Sequence, residues 1–298
     1  MSAEPTILDP AQLTAGGEEA VQHVRVLARS DAGLAARVAA HHSARLLAGR
    51  LDGGDGGVAG WYAHAGTVAA TPVPGGRRLL GDAPVSAGGA DAHRVVLAAG
   101  GRVQAVVDVE DPGVTVVPGD PGFGLRSAPP GRISLRDVTA PIPAAVPVPT
   151  AWRLFDETLQ VAVAVGIIEG FLTAARDFVV DHARPWHESG AERAARDPHT
   201  IGTFGDAHAR SRALALLFGD AADGFRRRPV TLARWYAHRH VGPIITAVIG
   251  VVGASGTSER YGLDRYWRDA RTHALRHPPH WTLSDAIRTD ATGARHDG

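Results

Sequence analysis

The sequence predicts an α+β protein: a short helical segment over residues 1–57, a small antiparallel β barrel or sandwich over 58–146, and a helical bundle over 147–298. Three observations predict it. The stretch from Leu13 to Leu47 mixes Ala, Leu, Val and Arg, with apolar residues at Val24, Leu27, Leu34, Val38, Leu46 and Leu47. Short Val-rich runs then alternate with Gly and Pro turns, the pattern of a compact antiparallel fold. Beyond Pro149 the chain returns to long apolar-rich stretches of helical length.

Each element follows from local signals. The run Asp52–Gly57 is rich in Gly and ends the first helical segment. Strands are expected at 66–70, 77–81, 94–98, 103–109, 114–117 and 132–137, with turns at Gly75-Gly76, Gly100-Gly101 and Asp111-Pro112-Gly113. Pro141, Pro143, Pro147 and Pro149 make an extended linker. Leu154–His182 reads as a long helix, apolar nearly all round in its middle and therefore central in a bundle. Asp197-Pro198 opens a second helix reaching about Phe225, with proline at its first position. Arg226-Arg227-Arg228 reads as a solvated turn and Pro229 as a break, followed by a third helix over Val230–Val252, interrupted at Pro243. A loop over 253–262 leads to a last helix, Asp264–Leu275, which stops before Pro278-Pro279.

Composition removes several chemistries. There is no cysteine and no lysine, so thiolate nucleophiles, Schiff bases and a phosphate-loop lysine are excluded. The 31 basic and 31 acidic residues balance, which gives no footing for nucleic acid or an anionic membrane. Glu169 ends the apolar run Val161–Ile168, and 243–254 is too short to span a bilayer. No signal-like N-terminus is present, and a cytoplasmic location is expected. His273 and His277, at i and i+4, have zinc-site spacing, but Pro278 disrupts the geometry towards His280, and no metal is expected.

The order of elements, together with several motifs, resembles the acyl-CoA dehydrogenase superfamily. Gly75-Gly76-Arg77-Arg78-Leu79-Leu80-Gly81 looks like the opening of that family's β domain, and Ser134-Leu135-Arg136-Asp137-Val138 with Pro141 like its exit strand. Gly166-Ile167-Ile168-Glu169-Gly170 through Ala183-Arg184-Pro185-Trp186, continued by Asp197-Pro198 and Phe204-Gly205, resembles the first bundle helices of the flavin-dependent monooxygenase branch. The stretch from Gly262 to His273 is similar to the C-terminal signature of dibenzothiophene monooxygenase-type enzymes.

The resemblance implies FMN or FAD held between the β domain and the bundle, a site often completed by a neighbouring subunit, a separate flavin reductase, and oxygen chemistry on a small or natural-product-like substrate. It implies phosphate and ring contacts for Arg184 and Trp186, flavin-turn contacts near Ser86 and Ser255, and pocket-facing proton carriers at His273, His277 and His42. A homo- or hetero-oligomer is expected, also because the apolar stretches 161–168 and 244–252 exceed what a thin N-terminal layer covers. The family is longer at its N-terminus. It also carries a tryptophan and a serine in the turn that here reads Ala83-Pro84-Val85-Ser86-Ala87-Gly88, and an acid or histidine where Arg276 and His277 stand. These departures keep open a non-redox member that has lost flavin, acting as a partner subunit or as a flavin-free cyclase or lyase.

Overall fold

The computed structural model describes residues 10–52, 59–63, 68–85, 92–99, 102–140 and 146–275. The chain forms two compact units. One comprises residues 1–20, 33–122 and 126–156; the other comprises 21–32, 123–125 and 157–298. Ser86 and His277 lie outside the described residues.

In the first unit α2 (Ala32–Asp52) accompanies two four-stranded sheets. The strands are β1 (Ala59–Ala63), β2 (Val68–Val73), β3 (Gly76–Val85), β4 (Arg94–Ala99), β5 (Arg102–Asp108), β6 (Val114–Pro118), β7 (Gly131–Ala140) and β8 (Val146–Pro147). They are ordered β1-β4-β5-β8 and β2-β3-β7-β6. The alternating apolar residues of β3 and β7 (Leu79, Val85, Ile133, Leu135) meet those of β4 and β5 (Val95, Leu97, Ala105, Val107) in one core. The pairing is antiparallel except that β1 runs parallel to β4. Sequence reading missed β1, because Ala59-Gly60-Trp61-Tyr62-Ala63 is short and lacks β-branched residues.

Two backbone details explain particular residues in this unit. Along β7, Ile133 and Leu135 point inward, and then Val138 and Ala140 do, so the alternation slips by one residue. Arg136 faces Leu80 and Val138 faces Leu79, which leaves Asp137 as the extra residue of a bulge. Asp137 has φ 61°, a region that Asp tolerates better than β-branched residues do. In the turn between β5 and β6, the Asp111 carboxylate accepts from the Gly113 amide at 2.7 Å. A Cβ on Gly113 would lie 2.5 Å from the Arg136 carbonyl, so a side chain there would force turn and strand apart.

The second unit is built on α3 (Thr150–Asp181), α4 (Pro198–Ala222), α5 (Arg227–Val252) and α6 (Leu263–Leu275). It also takes the last turns of α1 (Pro10–Ala28). By length and composition α3 could cross a membrane, but 72% of its most apolar window is buried inside the protein, as in the core helix of a bundle. Val161–Val165, Ile167 and Ile168 are all buried within this single chain. Contrary to the sequence-based expectation, this run needs no second subunit to cover it.

Where α1 meets α3, side chains are absent by necessity. A Cβ on Gly166 would lie 2.3 Å from the Arg25 carbonyl oxygen, and one on Gly170 would lie 2.1 Å from that of Arg29. Between these glycines Glu169 accepts from Arg25 and, at 2.9 Å, from Arg29.

The expected break at Pro229 is also corrected. Arg226 caps α5, Arg227 and Arg228 form its first turn, and Pro229 sits where a helix has no amide partner to lose. Pro243 lies inside α5 without ending it, because Ile244, Ile245, Val248 and Val252 remain buried on one face beyond it.

Candidate functional site

Within the helical unit the chemistry-bearing residues gather at one end and along α6. The first group starts where α3 stops. Asp197 is buried and caps α4, its carboxylate accepting from the amides of His199 (2.8 Å) and Thr200 (3.4 Å). It also accepts from the Trp186 amide at 3.4 Å, so one carboxylate fixes both sides of the α3–α4 connection. Burial works against its charge, but the amides of His199 and Thr200, the Ser189 hydroxyl and the Trp186 amide outweigh it and hold its pKa below the ordinary value. Sequence reading found Asp197 as a helix start and missed this second grip, which spans eleven residues and leaves no local pattern.

The residues that this corner presents are open to solvent. The Trp186 indole is 71% exposed, although its backbone is held. Arg184 is exposed, and its guanidinium makes no hydrogen bond or ion pair among the described residues; the local pairing with Asp181 does not form. Ser255 is exposed in the α5–α6 connection. An aromatic cluster brings that connection to the end of α3: Tyr261 lies 4.7 Å from Phe178 and 5.1 Å from His182, ring to ring. Beside the corner is a cavity of about 240 Å³ lined by Val179, Val180, Ile201 and Phe204 together with Arg176 and His208.

The second group is interior. His273 on α6 is 2% exposed, and its Nε2 lies 2.9 Å from the Gln160 carbonyl oxygen. A carbonyl can only accept, so Nε2 carries the proton. Its ring stacks on that of His238 at 5.6 Å, interplanar angle 28°. Burial, followed by the charge of Arg234, lowers the His238 pKa to about 4, so this imidazole is neutral near pH 7. Arg234 is in turn paired to Glu157 at 2.6 Å. His42 belongs to the other unit: it is half-buried on α2, with its ring 5.8 Å from that of His41.

Comparison with known proteins bears on the same region. A family model, acyl-CoA dehydrogenase C-terminal domain, matches residues 158–278. Dibenzothiophene monooxygenase of Rhodococcus erythropolis is 36% identical over 140 residues, covering 41% of this chain and 34% of that protein. A probable FMNH2-dependent monooxygenase of Pseudomonas putida is 27% identical over 138 residues, 41% of this chain and 35% of that one. The chain thus matches about a third of the length of these curated relatives. Among solved structures, TdsC of Paenibacillus sp. A11-2, crystallised with FMN and indole, superposes with a TM-score of 0.82 at 22% identity, covering 93% of this chain and 84% of that one. Residues 158–278 match the acyl-CoA dehydrogenase C-terminal domain model, and the chain has the fold shared by TdsC and by butyryl-CoA dehydrogenase of Megasphaera elsdenii, on which it superposes with a TM-score of 0.77 at 17% identity, covering 95% of this chain and 90% of that one.

Proposed function

We propose that the protein is a flavin-dependent monooxygenase that takes FMN or FAD in reduced form, delivered by a separate reductase, and acts with oxygen on a small or natural-product-like molecule. The observation that supports this reading is the α3–α4 corner, inside the region that the family model matches: an exposed arginine, unpaired among the described residues, and a backbone-held, exposed tryptophan. Arg184 suits an anionic phosphate, which a guanidinium binds through charge-assisted hydrogen bonds. Trp186 offers a flat face for a ring, and Ser255 offers a hydroxyl from the neighbouring connection. Bound reduced flavin supplies the electrons for oxygen activation.

The chain's own part is to bind, orient and move protons. His42, half-buried on α2, and His277 are two proposed proton carriers. His273 is the third, restricted to Nδ1 because Gln160 holds its Nε2 proton. We read the protein as cytoplasmic and oligomeric, with Val180, Trp186, Ile201 and Leu216 as the large apolar side chains left exposed on α3, α4 and the connection between them.

The burial of His273 favours, as a second reading, a flavin-free partner subunit or cyclase- or lyase-type enzyme. Titration of the purified chain with FMN and FAD, each oxidised and reduced, separates the two readings. Saturable binding is expected, and absence of binding in all four titrations overturns the flavin reading. Sedimentation that shows monomer alone at micromolar concentration overturns the oligomer.

A further inference from the structure

The connection from α5 to α6 is fastened to the end of α3 at two points, all within the helical unit. Gly256 is buried, and a Cβ on it would lie 2.0 Å from Val252 Cγ1 and 3.3 Å from the Phe178 ring. Tyr261 is half-buried, and its ring meets those of Phe178 and His182. Gly262, at φ 64°, then turns the chain into α6.

Arg260 stands between these two fastenings. It is exposed and forms no ion pair among the described residues. Its guanidinium is nevertheless held: it lies over the Tyr261 ring, 4.4 Å from the centroid, and Nη2 donates to the Tyr261 hydroxyl. Holding a long side chain in one geometry costs rotamer freedom. Here a neutral ring and hydroxyl do the holding, so the positive charge is not neutralised. One amino group is engaged, and most of the five N–H donors remain for a ligand. Arg184 follows His182 by two residues, so two guanidiniums without a carboxylate partner among the described residues belong to the same end of α3.

We propose that Arg260 is a second anion-binding residue of this corner, and that with Arg184 it takes the phosphate of a flavin. The inference rests on the flavin reading above and sharpens it: the corner selects a flavin that carries a phosphate over riboflavin, which has none. A guanidinium fork matches phosphate oxygens through paired charge-assisted hydrogen bonds. One that is held beforehand gives up less freedom on binding than a loose one. Tyr261 is then a positioning residue, which acts through Arg260 by its ring and hydroxyl.

Titration of the full chain with FMN and with riboflavin, each oxidised and reduced, tests this. The wild type is expected to bind FMN more tightly than riboflavin. Arg260→Ala is expected to weaken FMN binding by about tenfold or more, the loss of one charge-assisted contact, and to leave riboflavin binding unchanged. Arg260→Gln, which keeps a long polar side chain and removes the charge, is expected to behave in the same way. Tyr261→Phe, which keeps the ring and removes the hydroxyl, is expected to lower FMN affinity by less, again with riboflavin unchanged. Wild-type FMN affinity in the two Arg260 variants overturns the proposal. So does an equal loss for FMN and riboflavin, which marks a change of shape rather than of charge. A wild type that binds the two flavins equally overturns the proposal and leaves the flavin reading standing, whereas one that binds neither removes both.

Discussion

Gly170 and Arg29 touch backbone to backbone: a Cβ on Gly170 would lie 2.1 Å from the Arg29 carbonyl oxygen, closer than any side chain can stand. Together with Gly166 one turn earlier, it lets α1 lie against α3 with no side chain between. Gly170→Ala and Gly166→Ala are therefore expected to destabilise the fold, each by about 1–3 kcal/mol as overpacking does, although alanine is the better helix former. Denaturant unfolding checks this; a midpoint equal to or above wild type for both would show that the crossing is loose.

Glu169, between those glycines, binds two arginines, and its side chain is only 20% exposed. Glu169→Ala removes the counter-charge of Arg25, itself 22% exposed and left with Gln22 as its hydrogen-bond partner, and is expected to cost about 1.5–3 kcal/mol. The exposed pair Arg176–Asp177 is the control: Arg176→Ala is expected to cost less than about 1 kcal/mol. Equal losses in the two variants would remove the distinction between a clamped ion pair and a solvated one.

Stability should fall in mild acid because of His238. The unfolded imidazole titrates near 6.5 and the folded one near 4. Between these values the unfolded chain holds more protons, so stability present above pH 6.5 is lost as pH falls towards 4. The loss amounts to about 3 kcal/mol at most, since each pKa unit is worth about 1.4 kcal/mol. Unfolding curves across that window should show this slope, and His238→Gln should reduce it. An undiminished slope in the variant assigns the acid sensitivity elsewhere.

Asp197 holds two segments, so its removal should act at both. Asp197→Ala is expected to lower the thermal midpoint and to increase amide exchange at Trp186 as well as in the first turn of α4. Asp197→Asn keeps an acceptor for the cap and should recover most of the midpoint. If exchange rises in α4 alone, the contact to Trp186 is incidental.

Arg184→Ala is expected to weaken flavin binding by about 10- to 150-fold, the loss of one charge-assisted contact of roughly 1.5–3 kcal/mol. Because Arg184 is exposed and unpaired among the described residues, the unfolding midpoint should not move. Unchanged flavin affinity assigns the arginine to the surface.

What the sequence by itself determined is local. The start of α4 at Asp197-Pro198, the length and all-round apolarity of α3 and the turn at Asp111-Pro112-Gly113 were all readable, because caps, periodicity and turns depend on residues within a few positions. The motifs from Gly166 to Trp186 and from Gly262 to His273 also pointed to the family, whose domain model covers residues 158–278. Tertiary structure decided what those residues do. Gly166 and Gly170 gained their meaning from α1, some 140 positions away, and Asp269 from an amide 144 positions away. His273, with a spacing suited to a pocket, is turned inward to Gln160 and His238, because which face of a short helix is buried depends on the helices packed around it. Proline at 243 misled because a helix tolerates a missing amide bond when packing holds its buried face, and packing is not written in any local window; Pro229 sits in the first turn, where no bond is lost.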